Sequence, residues 1–166
     1  MNYSYKGKIL ISTPDISGDI FSRSVVIIVD HNHEGAFGLI LNKKNKNMSE
    51  RLHAIFGFAV DVYEGGPVEN DKIFFISKGK KITENFSEIS EEFYLTEDIE
   101  SVVTGMIEEQ ISVDEIKVFS GYSGWASKQL ESEVRRKMWT VVEVYNLDYT
   151  LPNDESLWKS IMQNLG

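Results

Sequence analysis

Glu115-Ile116-Lys117-Val118-Phe119-Ser120-Gly121-Tyr122-Ser123-Gly124-Trp125 is the stretch on which the fold turns, with Gln129-Leu130-Glu131-Ser132-Glu133 and Trp139 just beyond it. Residues 115–119 have strand composition, and Gly121 and Gly124 punctuate the residues after them. The pattern predicts a strand, a glycine-rich turn and then a helix. On such a helix Trp125, Gln129 and Glu133 fall at i, i+4 and i+8 and share one face, with Ala126, Leu130 and Val134 alongside. That face either seals the core or meets a ligand, and the core reading is preferred.

Working outward, Met138–Val144 reads as a returning strand. After Pro152, Asp154 is placed to cap a last helix carrying Leu157, Trp158, Ile161, Met162 and Leu165 inward. Upstream, Thr96 is the expected cap of a helix whose stripe is Ile99, Val102, Val103, Met106 and Ile107, with Glu97 and Asp98 at the positive end of its dipole. Ile82–Leu95 suits short edge strands, and Lys72–Ser77 and Val60–Tyr63 suit longer and shorter strands. Ser49 is the expected cap of a short helix with Leu52, Ile55 and Phe56 inward.

Val25-Val26-Ile27-Ile28-Val29 is β-branched throughout, the mark of a strand buried on both faces. With Ala36–Leu41 and the turn at 30–35 it forms an expected central hairpin. Lys8–Ser12 is a first strand stopped at Thr13-Pro14, and Asp15–Ser22 is a short polar link around Gly18 from which Ile16, Ile20 and Phe21 can dock. Strands and helices in this order, without regular βαβ alternation, define an α+β class in one domain, 1–166.

At 166 residues the chain can bury a substantial core without covalent staples. It has no cysteine, which excludes disulfides and thiolate chemistry and fits a reducing, cytoplasmic setting. No apolar run approaches the ~20 residues that cross a bilayer, and residues 1–12 lack the apolar core of a signal peptide. The net charge is −9, and residues 82–116 hold eleven acidic side chains and no Lys or Arg. That surface repels phosphate backbones, so direct nucleic-acid binding is not expected. The acidic window is read as a solubilising face, with docking of a basic partner as the alternative.

Four chemistries are open to these residue types. Gly121-Tyr122-Ser123-Gly124-Trp125 approaches a nucleophile elbow, but Trp125 stands where G-x-S-x-G needs glycine. All three histidines, His31, His33 and His53, precede the serine. Asp30, His31, His33 and Glu34 could be metal ligands, but a hairpin turn calls for the same polar residues. Lys43, Lys44, Lys46 and Arg51, and Lys78, Lys80 and Lys81, sit in no phosphate-binding frame. No metal or cofactor is therefore expected. The fourth is the polar and aromatic group Arg23, Asn42, Tyr122, Trp125, Gln129 and Glu133, the candidate binding residues.

Gly121-Tyr122-Ser123-Gly124-Trp125 with Gln129-Leu130-Glu131 and Glu133 resembles the "GYAGW…QLE.E" signature of the YqgE/AlgH family. Ile11-Ser12-Thr13-Pro14, Phe21-Ser22-Arg23-Ser24-Val25-Val26, His31 with Gly35–Asn42, Gly65-Gly66-Pro67-Val68, Trp139 and the C-terminal Leu157-Trp158 and Leu165-Gly166 extend the likeness along the chain. Ser123 stands where the family usually has alanine, which lowers the nucleophile reading further. Ser77 stands where a histidine is common, so a mechanism built on that histidine could not operate here. The resemblance implies a compact, mostly antiparallel sheet, bifurcated or barrel-like, surrounded by helices. It implies no established activity; some members carry a transcriptional-regulator label tied to alginate regulation.

The expectation is thus a non-enzymatic cytoplasmic binding or regulatory module acting on an unidentified protein or small-molecule ligand. The alternative is an enzyme, a small-molecule hydrolase for instance, using Glu131 or Glu133 as general base with Arg23 as anion anchor.

Overall fold

The computed structural model describes residues 4–14, 20–79 and 84–165. The expectations for Asp15, Ile16, Gly18, Lys80, Lys81 and Ile82 lie outside them. At the centre of the fold is β8 (Ile116–Ala126), an eleven-residue strand that runs straight through the predicted turn. Gly121 and Gly124 do not bend the chain into a helix. Instead Gly65-Gly66 crosses β8 at backbone contact. A Cβ on Gly66 would lie 2.2 Å from the Tyr122 carbonyl, and one on Gly65 would lie 2.3 Å from the Gly121 oxygen. Bare backbone on both segments makes that approach possible.

The remaining strands are β1 (Ile9–Ser12), β2 (Val25–Asn32), β3 (Gly35–Ile40), β4 (Val62–Glu64), β5 (Val68–Lys78), β6 (Ser87–Ser90), β7 (Phe93–Thr96) and β9 (Trp139–Val142). They form one nine-stranded sheet in the order β6-β7-β5-β8-β3-β2-β1-β9, with β4 added on β8. β5 takes one edge of β8. The other edge is divided. β4 runs parallel to it from Val62 opposite Val118 to Glu64 opposite Ser120, and β3 runs antiparallel from Gly38 opposite Ser123 to Gly35 opposite Ala126. This division is the bifurcation. Because the strand order ends on β6 and β9, the sheet is not a closed barrel.

Alternation along the strands sorts side chains into three cores. Val25, Ile27 and Val29 face an inner core with Phe74, Ile76, Phe119 and Tyr63, while Val26 and Ile28 face an outer one with Leu10, Ile40, Trp125 and Trp139. The β-branched run is buried on both faces, as its composition requires. α4 (Glu155–Leu165) packs Leu157, Trp158, Ile161 and Met162 into the inner core, and its Trp158 indole donates to Ser12 O at 2.8 Å. α3 (Gln129–Arg135) covers the outer core with Leu130 and Val134. The third core lies under α1 (Lys46–Phe56) and α2 (Ile99–Ile107), around Leu52, Phe75, Val102 and Val118.

Two helix caps differ from expectation by a few residues. Asn45, not Ser49, caps α1 by accepting from Met48 N. Ser49 lies inside the helix and ties it to β4 by accepting from Val62 N. Asp98, not Thr96, caps α2, because Thr96 is still in β7 and bonds Asn85 O. Ile55, Ile107 and Leu165 are 68%, 74% and 54% exposed, so none belongs to the apolar stripe assigned to it. Asp154 caps α4 as expected, accepting from Ser156 N.

Candidate functional site

The motif residues meet, but by a different geometry from the one the helical spacing suggests. Trp125 is on β8, Gln129 and Glu133 are on α3, and Lys128 between them takes a left-handed conformation, φ 64°. The Glu133 carboxylate gathers the group. Its Oε1 accepts from the indole N–H of Trp125 at 3.0 Å and of Trp139 at 3.0 Å, and its Oε2 accepts from Gln129 Nε2 at 2.8 Å. Gln129 Oε1 in turn accepts from Ala126 N. The two indoles pack edge to face, centroids 6.0 Å apart. Both carboxylate oxygens are thus engaged by framework donors, and the cluster bolts α3 to β8 and β9.

The other candidates are dispersed. Asn42 is buried and clasps β2: its Oδ1 accepts from Val25 N and its Nδ2 donates to Arg23 O. The Arg23 side chain is 60% exposed and pairs with Glu155 of α4, on the face of the sheet opposite α3. The structure therefore does not assemble Arg23 with Glu131 and Glu133. Tyr122 packs on Phe37 and Phe74 beside the inner core. Ser123 Oγ is buried and donates to Gly65 O at 3.0 Å, another tie at the glycine crossing.

His31 also serves the framework. Its Nδ1 accepts from Tyr5 N at 2.8 Å, so its ring proton sits on Nε2. The Tyr5 ring stacks on the imidazole at 5.2 Å. Nε2 lies 3.3 Å from Glu131 Oε1, in an approach that falls short of hydrogen-bond geometry. His33 is exposed in the turn. Among the described residues no group of three His, Asp or Glu side chains is placed to hold a metal ion.

The cavity that stands out lies elsewhere, beyond the start of β4. β4 begins opposite Val118, so Ile116 and Lys117 at the start of β8 extend past it. A cleft of about 610 Å³ opens there, between α1 (Ser49, Glu50, His53), the approach to β4 (Ala59, Val60, Asp61) and the C-terminal strap Thr150-Leu151-Pro152. Its walls are largely apolar, with Val60, Val113, Ile116, Val118, Leu151 and Pro152 among them.

Lys117 lies in this lining and is 3% exposed. Its ammonium donates to Leu41 O at 2.6 Å, Leu151 O at 2.8 Å and Asn153 Oδ1 at 3.1 Å, and sits 4.1 Å from the centroid of the Tyr63 ring. Every one of these acceptors is a neutral oxygen. Burial pushes the Lys117 pKa down to about 7, opposed by the field of Asp148. Burial likewise raises the Tyr63 phenol, whose oxygen accepts from Asn153 N. Partial burial of Asp148 works against its ionisation. Hydrogen bonds from Thr150 and Lys78 outweigh that and hold its carboxyl below the usual range.

Lys117 is missing from the sequence-derived candidates. The available signal was a single lysine between Ile116 and Val118-Phe119, in a strand whose two faces are both buried.

A forked, open and mostly antiparallel sheet with helices on both faces defines an α+β fold. The chain belongs to the AlgH-like family, whose model matches residues 9–166. It is 34% identical over 163 residues to a UPF0301 protein of Cytophaga hutchinsonii, covering 97% of this chain and 90% of that one. A UPF0301 protein of Chlamydia muridarum is also 34% identical, over 97% of this chain and 86% of its own length. The solution structure of AlgH from Pseudomonas aeruginosa superposes with a TM-score of 0.77 at 24% identity, covering all of this chain and 91% of that one. A crystal structure from Corynebacterium diphtheriae gives 0.74 at 20% identity, covering 98% and 88%. The motif resemblance to the YqgE/AlgH family is thereby established, and at these structural identities the two solved structures speak for the fold alone.

No helix among the described residues is long and apolar enough to cross a membrane.

Proposed function

We propose that this protein is a non-enzymatic, cytoplasmic binding module whose ligand site is the cleft beyond the start of β4. A regulatory role would act through a bound small molecule or a protein partner, not through contact with nucleic acid. The observation that carries the reading is the cleft itself: about 610 Å³, apolar-walled, with a buried ammonium in its lining. Small-molecule sites are typically concave, largely apolar and supplied with a few fixed polar groups. In this reading Trp125, Gln129 and Glu133 are the frame of the module rather than its contact surface.

The rival hydrolase reading asks Glu131 or Glu133 to act with Arg23. Glu133 accepts three framework hydrogen bonds, and Arg23 is drawn to Glu155 across the sheet. The net charge of −9 weighs against DNA contact, and a gel shift at low salt is expected to show no complex.

Ala59 is exposed at the cleft and outside every strand and helix, so Ala59→Trp fills the space without touching a core. A thermal-shift panel of carboxylates, phosphates, amines, nucleosides and neutral apolar compounds is expected to contain stabilisers of the parent that fail on Ala59→Trp. A panel in which no compound distinguishes the two proteins would overturn the assignment.

A further inference from the structure

We infer that the Lys117 cleft takes a small monocarboxylate with an apolar body, whose carboxylate displaces the strap oxygens from the ammonium. The inference rests on the binding-module reading and names the ligand class of the same site. Three observations point to it.

First, the buried ammonium donates to neutral acceptors: Leu41 O, Leu151 O and Asn153 Oδ1. A buried cation without an anion is poorly compensated, and a carboxylate at hydrogen-bond distance supplies what backbone oxygens cannot. Second, two of those three oxygens belong to a surface element. Leu151 is 53% exposed and Pro152 and Asp154 are exposed, so residues 151–153 form a strap on the surface. Leu41 O, by contrast, lies in the sheet region and stays.

Third, the surroundings select the charge and shape of the ligand. Glu50, Asp61 and Asp114 line the same cleft against Lys46 and Lys117, so the lining carries no excess of positive charge and disfavours a dianion such as phosphate. The pull on a single negative charge comes from direct contact with the Lys117 ammonium. Val60, Val113, Ile116 and Val118 offer apolar wall for a hydrocarbon body. The groups facing Lys117 from each neighbouring element bear on its protonation. These are Asp148 just before the strap, paired with Lys78, the Tyr63 ring on β4, Asp61 and Lys44, paired with each other beside Tyr63, and Lys46, Glu50, His53 and Asp114 in the cleft lining.

Binding a carboxylate draws a proton onto Lys117. In the free protein burial holds this lysine near pH 7, so at pH 8 it is largely the neutral amine. The acid anion stabilises the ammonium, and the complex takes up one proton from solvent as it forms. Affinity then falls by up to about tenfold per pH unit above 7.

Calorimetric titration with benzoate and hexanoate at pH 8, in two buffers of different ionisation enthalpy, reads both quantities. Expected are binding with uptake of close to one proton per acid, smaller uptake at pH 6, and loss of binding in Ala59→Trp. Asn153→Ala, which removes one competing oxygen, is expected to tighten binding severalfold. Lys117→Met is expected to abolish it, with circular dichroism confirming the fold. Cleft binding without proton uptake at pH 8, or weaker binding by Asn153→Ala, overturns the inference. So does stabilisation only by amines or neutral compounds that Ala59→Trp blocks, which leaves the binding-module reading standing. If nothing in the wider panel binds in a manner blocked by Ala59→Trp, both fall together.

Discussion

The indole nitrogen of Trp125 lies 3.0 Å from Glu133 Oε1, joining a buried strand residue to a helix eight positions later. Trp139 donates to the same oxygen from β9. Replacing Glu133 by alanine orphans both donors. At about 1–3 kcal/mol for each unsatisfied buried group, Glu133→Ala should lose about 2–6 kcal/mol. Glu133→Gln retains an acceptor oxygen and should lose about half as much or less. Urea denaturation followed by tryptophan fluorescence measures both; equal losses would mean the shared oxygen is not what holds α3.

The crossing of Gly65-Gly66 over β8 makes a second test. A methyl group on Gly66 would sit 2.2 Å from backbone atoms of Tyr122, where no flexible side chain can give way. Gly66→Ala should therefore cost about 3 kcal/mol or more, or prevent folding. Gly57 provides the control. It caps α1 with φ 80°, and a methyl group there would meet nothing within 4 Å, so Gly57→Ala should cost only about 1–2 kcal/mol. Thermal denaturation ranks the two, and similar losses would contradict the crossing as the dominant constraint.

His31 fastens the N-terminal segment. Tyr5 N donates to its Nδ1, Tyr5 stacks on its ring, and Ser4 Oγ donates to its carbonyl. His31→Ala should cost about 2–3 kcal/mol through lost packing and an orphaned N–H. Hydrogen exchange resolves the location: residues 4–8 should exchange faster, while β8 changes only with global stability. Unchanged exchange there would show that the segment is held by other contacts.

Lys117 gives stability a distinctive pH dependence. An unfolded lysine keeps its proton to about pH 10.5, whereas the folded one loses it near 7. Between those values the unfolded chain binds more protons, so this residue makes stability rise with pH, by at most about 1.4 kcal/mol per unit. The cost of burying the ammonium is fully present below pH 7 and is removed as pH approaches 10.5. Lys117→Met should flatten the difference in stability between pH 7 and pH 10. Parallel pH profiles for parent and variant, from guanidinium denaturation, would refute the depressed pKa.

Much of the fold is legible in the sequence because it rests on local patterns. The β-branched run at 25–29 announces a strand buried on both faces, and the turn at 30–35 places its hairpin partner. The apolar spacing of residues 99–106 announces α2. Helix caps shift by a few residues because several nearby polar side chains could each serve, and the backbone path selects one. The motif differs in form from its sequence reading. Glycine usually marks a turn, but Gly121 and Gly124 stay within a strand, and Gly121 lets a second chain segment touch it.

By itself, the sequence determined the α+β class, most strands and helices and the family motifs, because periodicity and composition are properties of neighbours along the chain. Tertiary structure alone decided that Trp125, Trp139, Gln129 and Glu133 close on one carboxylate, that Arg23 turns to the opposite layer, and that β8 outruns β4 to open a cleft. It also decided the environment of Lys117. Its three acceptors lie 76, 34 and 36 residues away, and only folding brings those oxygens around a charge and removes the water.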